Sequence, residues 1–258
     1  MSHKNWSWVS ARSTGTSHIR SGTACEDFGA CREVRIGRNS TLSAVVSDGA
    51  GSAVMSRYGS FIVARVFSKF AERHLLNWPG EPFSRSNADE LVDDIRDRIG
   101  AAASRTEAPL RDYAATLVGT IIGPTWASIV HVGDGSCVFR LRGSPSWQVA
   151  SWPANGEYAS TTYFVTDDPE PNIRMSHIDG EVEELAVFTD GIERLVLQFD
   201  TQTAFGPFFE TMFGPLRTVT AGGRDRSLSR QLRSFLDSAA LTDRTDDDKT
   251  LILARRTS

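Results

Sequence analysis

Short apolar runs rich in β-branched residues recur along the chain, and several of them stop at Asp-Gly. Residues 41–47 (Thr-Leu-Ser-Ala-Val-Val-Ser) predict a buried strand that ends at Asp48. Runs of the same kind follow at residues 113–122, 126–132, 137–141, 147–151, 184–189 and 250–254. Turn sequences such as Gly-Pro and Gly-Asp-Gly separate the first four of these runs, which indicates a meander of antiparallel strands.

Apolar residues at helical spacing predict four helices. The first covers residues 52–74, where a long apolar stripe is typical of a helix that packs on a sheet. The second covers residues 87–104, with Ser86 or Asn87 as its N-cap. The remaining two are predicted at residues 204–213 and 227–239.

This order of elements predicts the fold class. Groups of strands with helix pairs between them favour two packed antiparallel sheets flanked by helices, an α+β fold, over an alternating βαβ sheet. No linker or repeat divides the chain, so we expect residues 1–258 to form a single domain. Residues 152–172 are rich in Pro, Asp and Thr, and a loop of this length predicts a functional flap.

Composition narrows the class of protein. With 40% hydrophobic and 23% charged residues, the chain is typical of a globular protein. The net charge is −4 and the sequence has no basic stripe, so we do not expect the protein to bind nucleic acid. Three cysteines without CxxC spacing argue against a disulfide framework or a thiolate zinc site. We find no apolar leader and no run near the ~20 apolar residues of a membrane span, so we expect a cytoplasmic location and no membrane contact.

Acidic residues stand beside the ends of the apolar runs. They are Asp48, Asp134, Asp190 and Asp247, together with the pair Glu26-Asp27 before Phe28. Each Asp-Gly alone is first of all a turn, because Asp bonds its own backbone and Gly supplies positive φ. Carboxylates at strand ends can nevertheless converge at one edge of a sheet, where only cations make such a cluster tolerable. Hard oxygen ligands favour Mg²⁺ or Mn²⁺ over zinc.

Taken in order, these motifs resemble the type 2C metal-dependent protein phosphatases. The matching segments are Cys25-Glu-Asp, Ser47-Asp-Gly-Ala-Gly, Ala115-Thr-Leu-Val-Gly-Thr, Val132-Gly-Asp-Gly-Ser, Phe188-Thr-Asp-Gly-Ile-Glu and Asp247-Asp-Lys-Thr-Leu. Gly15-Thr-Ser-His and the flap segment Asn155-Gly-Glu-Tyr are similar to the divergent bacterial branch of that family. The resemblance covers about residues 14–255 and implies a four-layer α-β-β-α sandwich with a metal centre at one end.

The resemblance implies a metal role for most of these acids. Asp48 would bridge two Mg²⁺ or Mn²⁺ ions, and the Gly49 carbonyl would ligate one of them. Asp190 and Asp247 would complete the protein ligands of the first ion. Asp48 and Asp190 are therefore the expected catalytic carboxylates.

The second ion and a third position are less narrowly defined by the resemblance. Either Glu26 or Asp27 would serve the second ion, and the motif does not say which of the two binds it directly. Asp134, with Asp190, matches a third metal position described in bacterial members. The alternative is that Asp134 only holds its hairpin.

The resemblance also implies how the reaction would run. A hydroxide that bridges the two ions would attack phosphorus in line, without a phosphoenzyme. Ala50 stands where some members have a histidine that protonates the leaving group, so water or His18 would supply that proton. The arginine with which many members bind phosphate is replaced by Gly22; Arg20 is the nearest candidate, or else a solvated surface residue.

The predicted function is hydrolysis of phosphoserine or phosphothreonine on a protein that a kinase has phosphorylated. An inactive member acting as a binding or regulatory module is the alternative, and a hydrolase of small phosphate esters is a third possibility. Retention of Asp48, Asp190 and Asp247 favours an active enzyme, because loss of a bridging carboxylate would leave the metals unbound. The five histidines include no HxxxH pair, which disfavours a zinc hydrolase.

Overall fold

The computed structural model describes residues 5–37, 39–154 and 162–257. The strands are β1 (Trp6–Ser13), β2 (Phe28–Ile36), β3 (Asn39–Ser47), β4 (Leu117–Ile122), β5 (Trp126–Val132), β6 (Ser136–Leu141), β7 (Gln148–Ser151), β8 (Arg174–Asp179), β9 (Val182–Phe188), β10 (Leu197–Gln198), β11 (Thr203–Ala204), β12 (Gly223–Arg224) and β13 (Lys249–Arg256). The helices are α1 (Thr16–Ser21), α2 (Ser56–Asn77), α3 (Arg85–Thr106), α4 (Glu193–Val196), α5 (Gly206–Arg217), α6 (Arg226–Leu236) and α7 (Ala239–Thr242). Leu110–Tyr113 and Asp190–Ile192 form 3₁₀ turns.

Two large sheets carry the fold. The six-stranded sheet has the order β12-β1-β13-β9-β6-β7, and the five-stranded sheet has the order β2-β3-β4-β5-β8. Neighbouring strands within both sheets are antiparallel, apart from β12, which runs parallel to β1 over Ser7 and Trp8. The short β10 and β11 pair separately.

Three hydrophobic cores separate four layers. Leu42, Ile129 and Leu185 are among the residues of the core between the sheets. The side chains of α2 and α3 fill a second core against the five-stranded sheet. Those of α5 and α6 fill a third against the six-stranded sheet. The predicted α+β class and the α-β-β-α layering are confirmed.

Burial on both faces explains why the predicted strands read as continuous apolar runs. In β9, Leu185 and Val187 face the core between the sheets. Ala186 and Phe188 alternate with them and face the core under α5 and α6. Because successive side chains of a strand point to opposite faces, a strand covered on both sides needs apolar residues at every position.

The sequence pattern misses β1, β2 and β8, and also the two-residue strands β10, β11 and β12. The first of these pairs along its whole length with β13, from Trp6 opposite Arg256 to Ser13 opposite Lys249. The strand β2 lies at the edge of its sheet, where half-exposed and charged positions break the apolar run. The predicted strand over residues 113–122 is wrong at its start, because β4 begins only at Leu117.

The cap predicted for the second long helix is also wrong. The N-cap of α3 is Ser84, whose Oγ accepts the Asn87 N–H at 3.2 Å. The Asn87 side chain in turn accepts the Ser84 N–H at 3.0 Å, so Asn87 completes a capping box from the third helical position.

Two expectations concern the flap and the membrane. Residues 155–161 of the predicted flap lie outside the described residues, so the flap stays a prediction for them. None of the helices in the described ranges combines the length and apolarity that a bilayer crossing requires.

Candidate metal centre

Asp48 follows the last residue of β3 and is held by a neighbouring segment. Its N–H donates to Thr116 Oγ1 at 3.0 Å, and its carbonyl accepts the Thr116 N–H at 2.8 Å. The next residue, Gly49, forms an isolated antiparallel bridge with Ala115. Because the hydrogen bonds lie on either side of this pair, the Gly49 carbonyl points away from the partner segment.

Asp134 reaches the same place from the turn that joins the two sheets, and Asp190 reaches it from the end of a strand in the six-stranded sheet. Asp134 lies in the turn between β5 and β6, and Asp190 opens the 3₁₀ turn after β9. In the register of β6 and β9, Ser136 is opposite Phe188, which brings the two turns together. One carboxylate oxygen from each of Asp48, Asp134 and Asp190 lies within 4.8 Å of the others. We refer to these three residues as the carboxylate trio.

Asp27 is fully buried beside the trio. The Thr189 hydroxyl donates to Asp27 Oδ2 at 2.8 Å and accepts the Thr250 N–H at 2.9 Å. The charge of Asp27 also contributes to the raised pKa of Asp48. Sequence reasoning missed Thr189, whose only signal was its position before Asp190.

The predicted ligand Asp247 lies next to a residue that the sequence pattern did not single out. Asp247 is half-buried, and its carboxylate accepts the Asp248 N–H at 2.8 Å. Asp248 is buried; its Oδ1 accepts the Gly15 N–H and its Oδ2 accepts the Glu26 N–H, each at 2.6 Å. Three consecutive aspartates gave no basis in the sequence for separating these roles.

His18, on α1, faces two carboxylates. Its Nδ1 lies 3.0 Å from Asp248 Oδ2, and its Nε2 lies 3.9 Å from Glu26 Oε2. The imidazole keeps 19% of its surface exposed, and Glu26 keeps 12%. The structure therefore brings the two predicted residues His18 and Glu26 together beside Asp248.

Arg20 lies at the surface. Its guanidinium is 69% exposed, and its Nη2 lies 3.4 Å from the equally exposed Asp246 Oδ2. Such an exposed pair contributes little to stability. Arg20 thus contacts the residue that precedes Asp247 in the chain. This contact does not join Arg20 to the carboxylate trio.

Burial raises the pKa values of the clustered acids. For Asp48 and Asp190, loss of hydration is the largest cause and neighbouring carboxylates add to it, so both pKa values lie well above the usual range. The pKa of Asp27 is raised by burial to about 6. Burial, followed by the charge of Asp134, raises the pKa of Glu193 to about 7. Glu193 is a further acid at this site that the sequence analysis did not predict.

Several carboxylate oxygens have no hydrogen-bond partner in the described part of the chain. These buried atoms are Glu26 Oε2, Asp27 Oδ1, Asp134 Oδ1 and Asp190 Oδ1. An unpaired carboxylate oxygen removed from water is strongly unfavourable unless a cation compensates it. Clustered carboxylates are also the hard oxygen ligands that Mg²⁺ and Mn²⁺ prefer. The residues present therefore fit divalent cations.

The glycines of the Asp-Gly pairs serve close packing. Gly49, Gly135 and Gly191 are absent from the glycines that have positive φ, so the expectation of positive φ is wrong for them. A Cβ on Gly191 would lie 1.9 Å from the Asp248 carbonyl oxygen. The absence of a side chain thus lets the turn after β9 approach the segment that carries Asp247 and Asp248.

Comparisons with known proteins agree with this geometry. The sequence profile described as "Protein phosphatase 2C" matches residues 14–237. The chain is 35% identical over 255 residues to serine/threonine-protein phosphatase 3 of Escherichia coli (strain K12), covering 97% of this chain and 98% of that protein.

Solved structures with the same fold are more distant in sequence. The serine/threonine phosphatase Stp1 from Staphylococcus aureus is 16% identical, with a TM-score of 0.59 over 96% of this chain and 94% of that one. RsbX, in a structure described as a complex with magnesium, is 12% identical, with a TM-score of 0.54 over 100% of this chain and 98% of that one. With the profile match over most of its length, this chain belongs to the protein phosphatase 2C family.

Proposed function

We propose that this chain is a metal-dependent phosphatase that hydrolyses phosphoserine and phosphothreonine on kinase-phosphorylated proteins, with residues 1–258 as a single phosphatase domain. The observation that carries the proposal is the carboxylate trio, in which Asp48, Asp134 and Asp190 place oxygens within 4.8 Å of one another. The name of the Escherichia coli relative supports protein substrates.

Three aspartates would hold the first Mg²⁺ or Mn²⁺ ion, and Asp48 among them would also hold the second. Asp48 would bridge both ions, and the Gly49 carbonyl, which points away from its partner segment, would ligate one. Asp190 has a buried, unpartnered oxygen aimed for such a role. Asp247, half-buried beside Asp248, would complete the set.

The second ion would take Asp27 in preference to Glu26. Asp27 is fully buried, its charge raises the pKa of Asp48, and it has one oxygen fixed by Thr189 and the other without a hydrogen-bond partner. Glu26 lies beside His18 instead. Asp134, whose Oδ1 is also unpartnered, would hold a third ion together with Asp190.

When bound, divalent cations supply Lewis-acid chemistry: they make a water molecule nucleophilic near neutral pH and offset charge on the phosphoryl oxygens during in-line attack. The protein keeps the acids oriented, since Thr189 fixes Asp27 and Thr116 fixes the backbone of Asp48. His18 would donate a proton to the departing serine or threonine oxygen, and Arg20 would bind phosphate from the rim.

The alternatives are less well supported. An inactive binding module would have no need to keep the carboxylate trio together. A small phosphate ester as substrate would share the same chemistry, and the test below separates it. The free thiols of Cys25, Cys31 and Cys137 favour a reducing compartment, so we place the protein in the cytoplasm.

The test uses the full chain after chelation. We expect Mn²⁺ or Mg²⁺ to restore turnover of p-nitrophenyl phosphate and of a phosphothreonine peptide, with a higher kcat/KM on the peptide. Asp190→Asn should lower turnover by about 100-fold or more and weaken Mn²⁺ binding measured by calorimetry, because a removed ligand acts on both.

The matched control is Asp243→Asn, an exposed aspartate in the loop that leads to Asp247. It should leave both turnover and Mn²⁺ binding unchanged. Activity that survives chelation, or no activity with either ion, would remove the proposal. Comparing Asp27→Asn with Glu26→Gln by calorimetry decides which of them serves the second ion.

A further inference from the structure

A groove of about 640 Å³ lies along β1, on the side of the six-stranded sheet where β12 pairs only with Ser7 and Trp8. Five arginines line it: Arg12, Arg224, Arg226, Arg230 and Arg233. We call it the arginine groove. It lies outside the carboxylate trio, and nothing in the proposed chemistry uses its arginines.

The chain's local structure explains why these arginines converge. Arg226, Arg230 and Arg233 are spaced four and three residues apart on α6, so they share one face of the helix. The opposite face carries buried leucines that pack on the six-stranded sheet. Arg224 enters from β12 and Arg12 from β1.

The groove carries an excess of positive charge. Arg233 Nε lies 3.6 Å from Asp237 Oδ2, and both side chains are exposed. Arg226 and Arg230 are exposed, and no ion pair is seen for either within the described ranges. A chain with a net charge of −4 thus gathers arginines at one place, which favours an anionic partner.

The groove also reaches the wall of the candidate metal centre. An adjoining part is lined by Phe28, Gly29 and Thr250 as well as Arg12 and Arg224. Arg12 Nη1 donates to the Asp27 carbonyl at 2.8 Å, and Phe28 is the residue after Asp27. A chain bound in the groove would therefore pass within a few residues of the site.

We propose that the arginine groove binds an acidic, Asp- or Glu-rich segment of the phosphoprotein substrate; this rests on the proposed function. The stripe from Arg226 to Arg233 is about 10 Å long at 1.5 Å per helical residue. An extended segment of three or four residues, at about 3.3 Å each, matches that length.

Two features favour a peptide that is recognised by its charge over a nucleic acid or a peptide that adds to the sheet as a strand. Among the residues that line the groove and its adjoining part, Phe28 is aromatic, and the Arg12 guanidinium lies over its ring at 4.3 Å from the centroid, so this ring face is not free to stack on a base. The backbone of Ser10 on β1 is already bonded by the side chains of Ser229 and Arg224. Recognition therefore depends on side-chain charge and not on strand addition.

The test compares phosphothreonine peptides that carry a four-residue Glu tract with peptides that carry a Gln tract, at several spacings from the phosphate. We expect the native chain to favour the Glu peptides by about fivefold or more in kcat/KM at low salt, and the preference to fade at high salt, as charge steering does. Arg226→Ala/Arg230→Ala should abolish the preference while leaving p-nitrophenyl phosphate turnover unchanged.

The control pair is Arg105→Ala/Arg111→Ala, which removes two exposed arginines at and after the end of α3, on the layer that covers the other sheet. It should keep the preference. The proposal is overturned if the native chain shows no preference at any spacing, or if the groove variant keeps it. It is also overturned if single-stranded polynucleotide, and not the Glu peptide, binds through these arginines.

A separate measurement keeps this proposal distinguishable from the proposed function. Fluorescence anisotropy of a labelled Glu-tract peptide reports groove binding without any turnover. Absence of all phosphatase activity with retained, Arg226-dependent binding would refute the function alone. Full activity without such binding would refute the groove alone.

Discussion

The buried carboxylate of Asp248 accepts the backbone N–H of Glu26 at 2.6 Å, across 222 residues of chain. The same side chain accepts the Gly15 N–H at 2.6 Å and faces His18. One carboxylate thus fixes the segments that carry Glu26 and His18 against the last strand.

Replacing this residue should destabilise the fold apart from any effect on metal. Asp248→Ala leaves two buried backbone N–H groups without an acceptor, and each such loss costs about 1–3 kcal/mol. We expect a loss of about 2–4 kcal/mol in unfolding free energy by urea titration in chelator. Asp246→Ala, at an exposed neighbour, is the control and should change stability by less than about 0.5 kcal/mol. Equal stability of the two variants would contradict the role of Asp248 in holding these segments together.

Gly191 should tolerate no side chain. A Cβ there would lie 1.9 Å from the Asp248 carbonyl oxygen, so Gly191→Ala must displace one of the two segments of the site. We expect a loss of about 2 kcal/mol or more and weaker Mn²⁺ binding. Gly100→Ala is the matched control: it lies inside α3 with its nearest neighbour atom at 4.0 Å, and should stabilise by about 0.5–1 kcal/mol.

The sequence could predict the strands that are buried on both faces, and with them the acids at their ends. Runs such as Val-Val before Asp48 and Val-Phe before Asp190 are apolar at every position because two cores cover them. The resemblance to the type 2C phosphatases then indicated which of those acids would serve as metal ligands. The convergence of Asp48, Asp134 and Asp190 follows from the register of neighbouring strands.

The parts that could not be predicted depend on contacts between distant residues. The run Trp6–Ser13 becomes a strand only because β13, at the other end of the chain, pairs with it. No local sequence feature indicates that Asp248 accepts a hydrogen bond from the Glu26 backbone or that Thr189 donates one to Asp27. The sequence pattern therefore singled out the three acids that the structure brings together, but not Thr189 and Asp248, which hold neighbouring segments in place.

A leaving-group comparison tests His18. If His18 donates the proton, His18→Asn should lower kcat on a phosphoserine peptide by about 100-fold, since serine leaves poorly without an acid. On p-nitrophenyl phosphate, whose leaving group needs no proton, the change should be small. Asn is chosen because its amide can still donate towards Asp248. An equal decrease on both substrates would assign His18 a structural role.

The role of Arg20 is tested by measuring whether its replacement changes KM more than it changes kcat. Arg20→Ala should raise KM for a phosphopeptide more than it lowers kcat, because a phosphate contact made before the reaction is mostly uniform binding. Asp246→Ala, which frees the Arg20 guanidinium from its 3.4 Å contact, should not raise KM. An unchanged KM in Arg20→Ala would make it a surface residue.

The carboxylate cluster should make metal-free stability fall as pH rises. Burial raises the pKa of Asp27 to about 6 and the pKa values of Asp48 and Asp190 well above their usual range, so the folded state retains protons that the unfolded state releases. The stabilising effect is complete below about pH 4 and is lost as pH rises through 6 and beyond.

Calorimetric melting in chelator from pH 5 to pH 8 should therefore show a Tm that declines by several degrees, on the order of 2–4 °C per kcal/mol lost. Excess Mn²⁺ should remove most of the decline, because bound cations replace the protons. A Tm in chelator that rises over this range would contradict the cluster's electrostatics. The variant Asp190→Asn should show a shallower decline.

The pairing of β1 with β13 limits when the six-stranded sheet can form during synthesis of the chain. The strand β13 lies inside the six-stranded sheet, between β1 and β9, yet it follows both of them in the chain and leaves the ribosome after them. Until then β1 and β9 lack the strand that joins them, and Asp248, which directly precedes β13, does not yet hold the segments that carry Gly15 and Glu26. Under the proposed function, hydrolysis of phosphoproteins would therefore begin only after β13 has left the ribosome and paired.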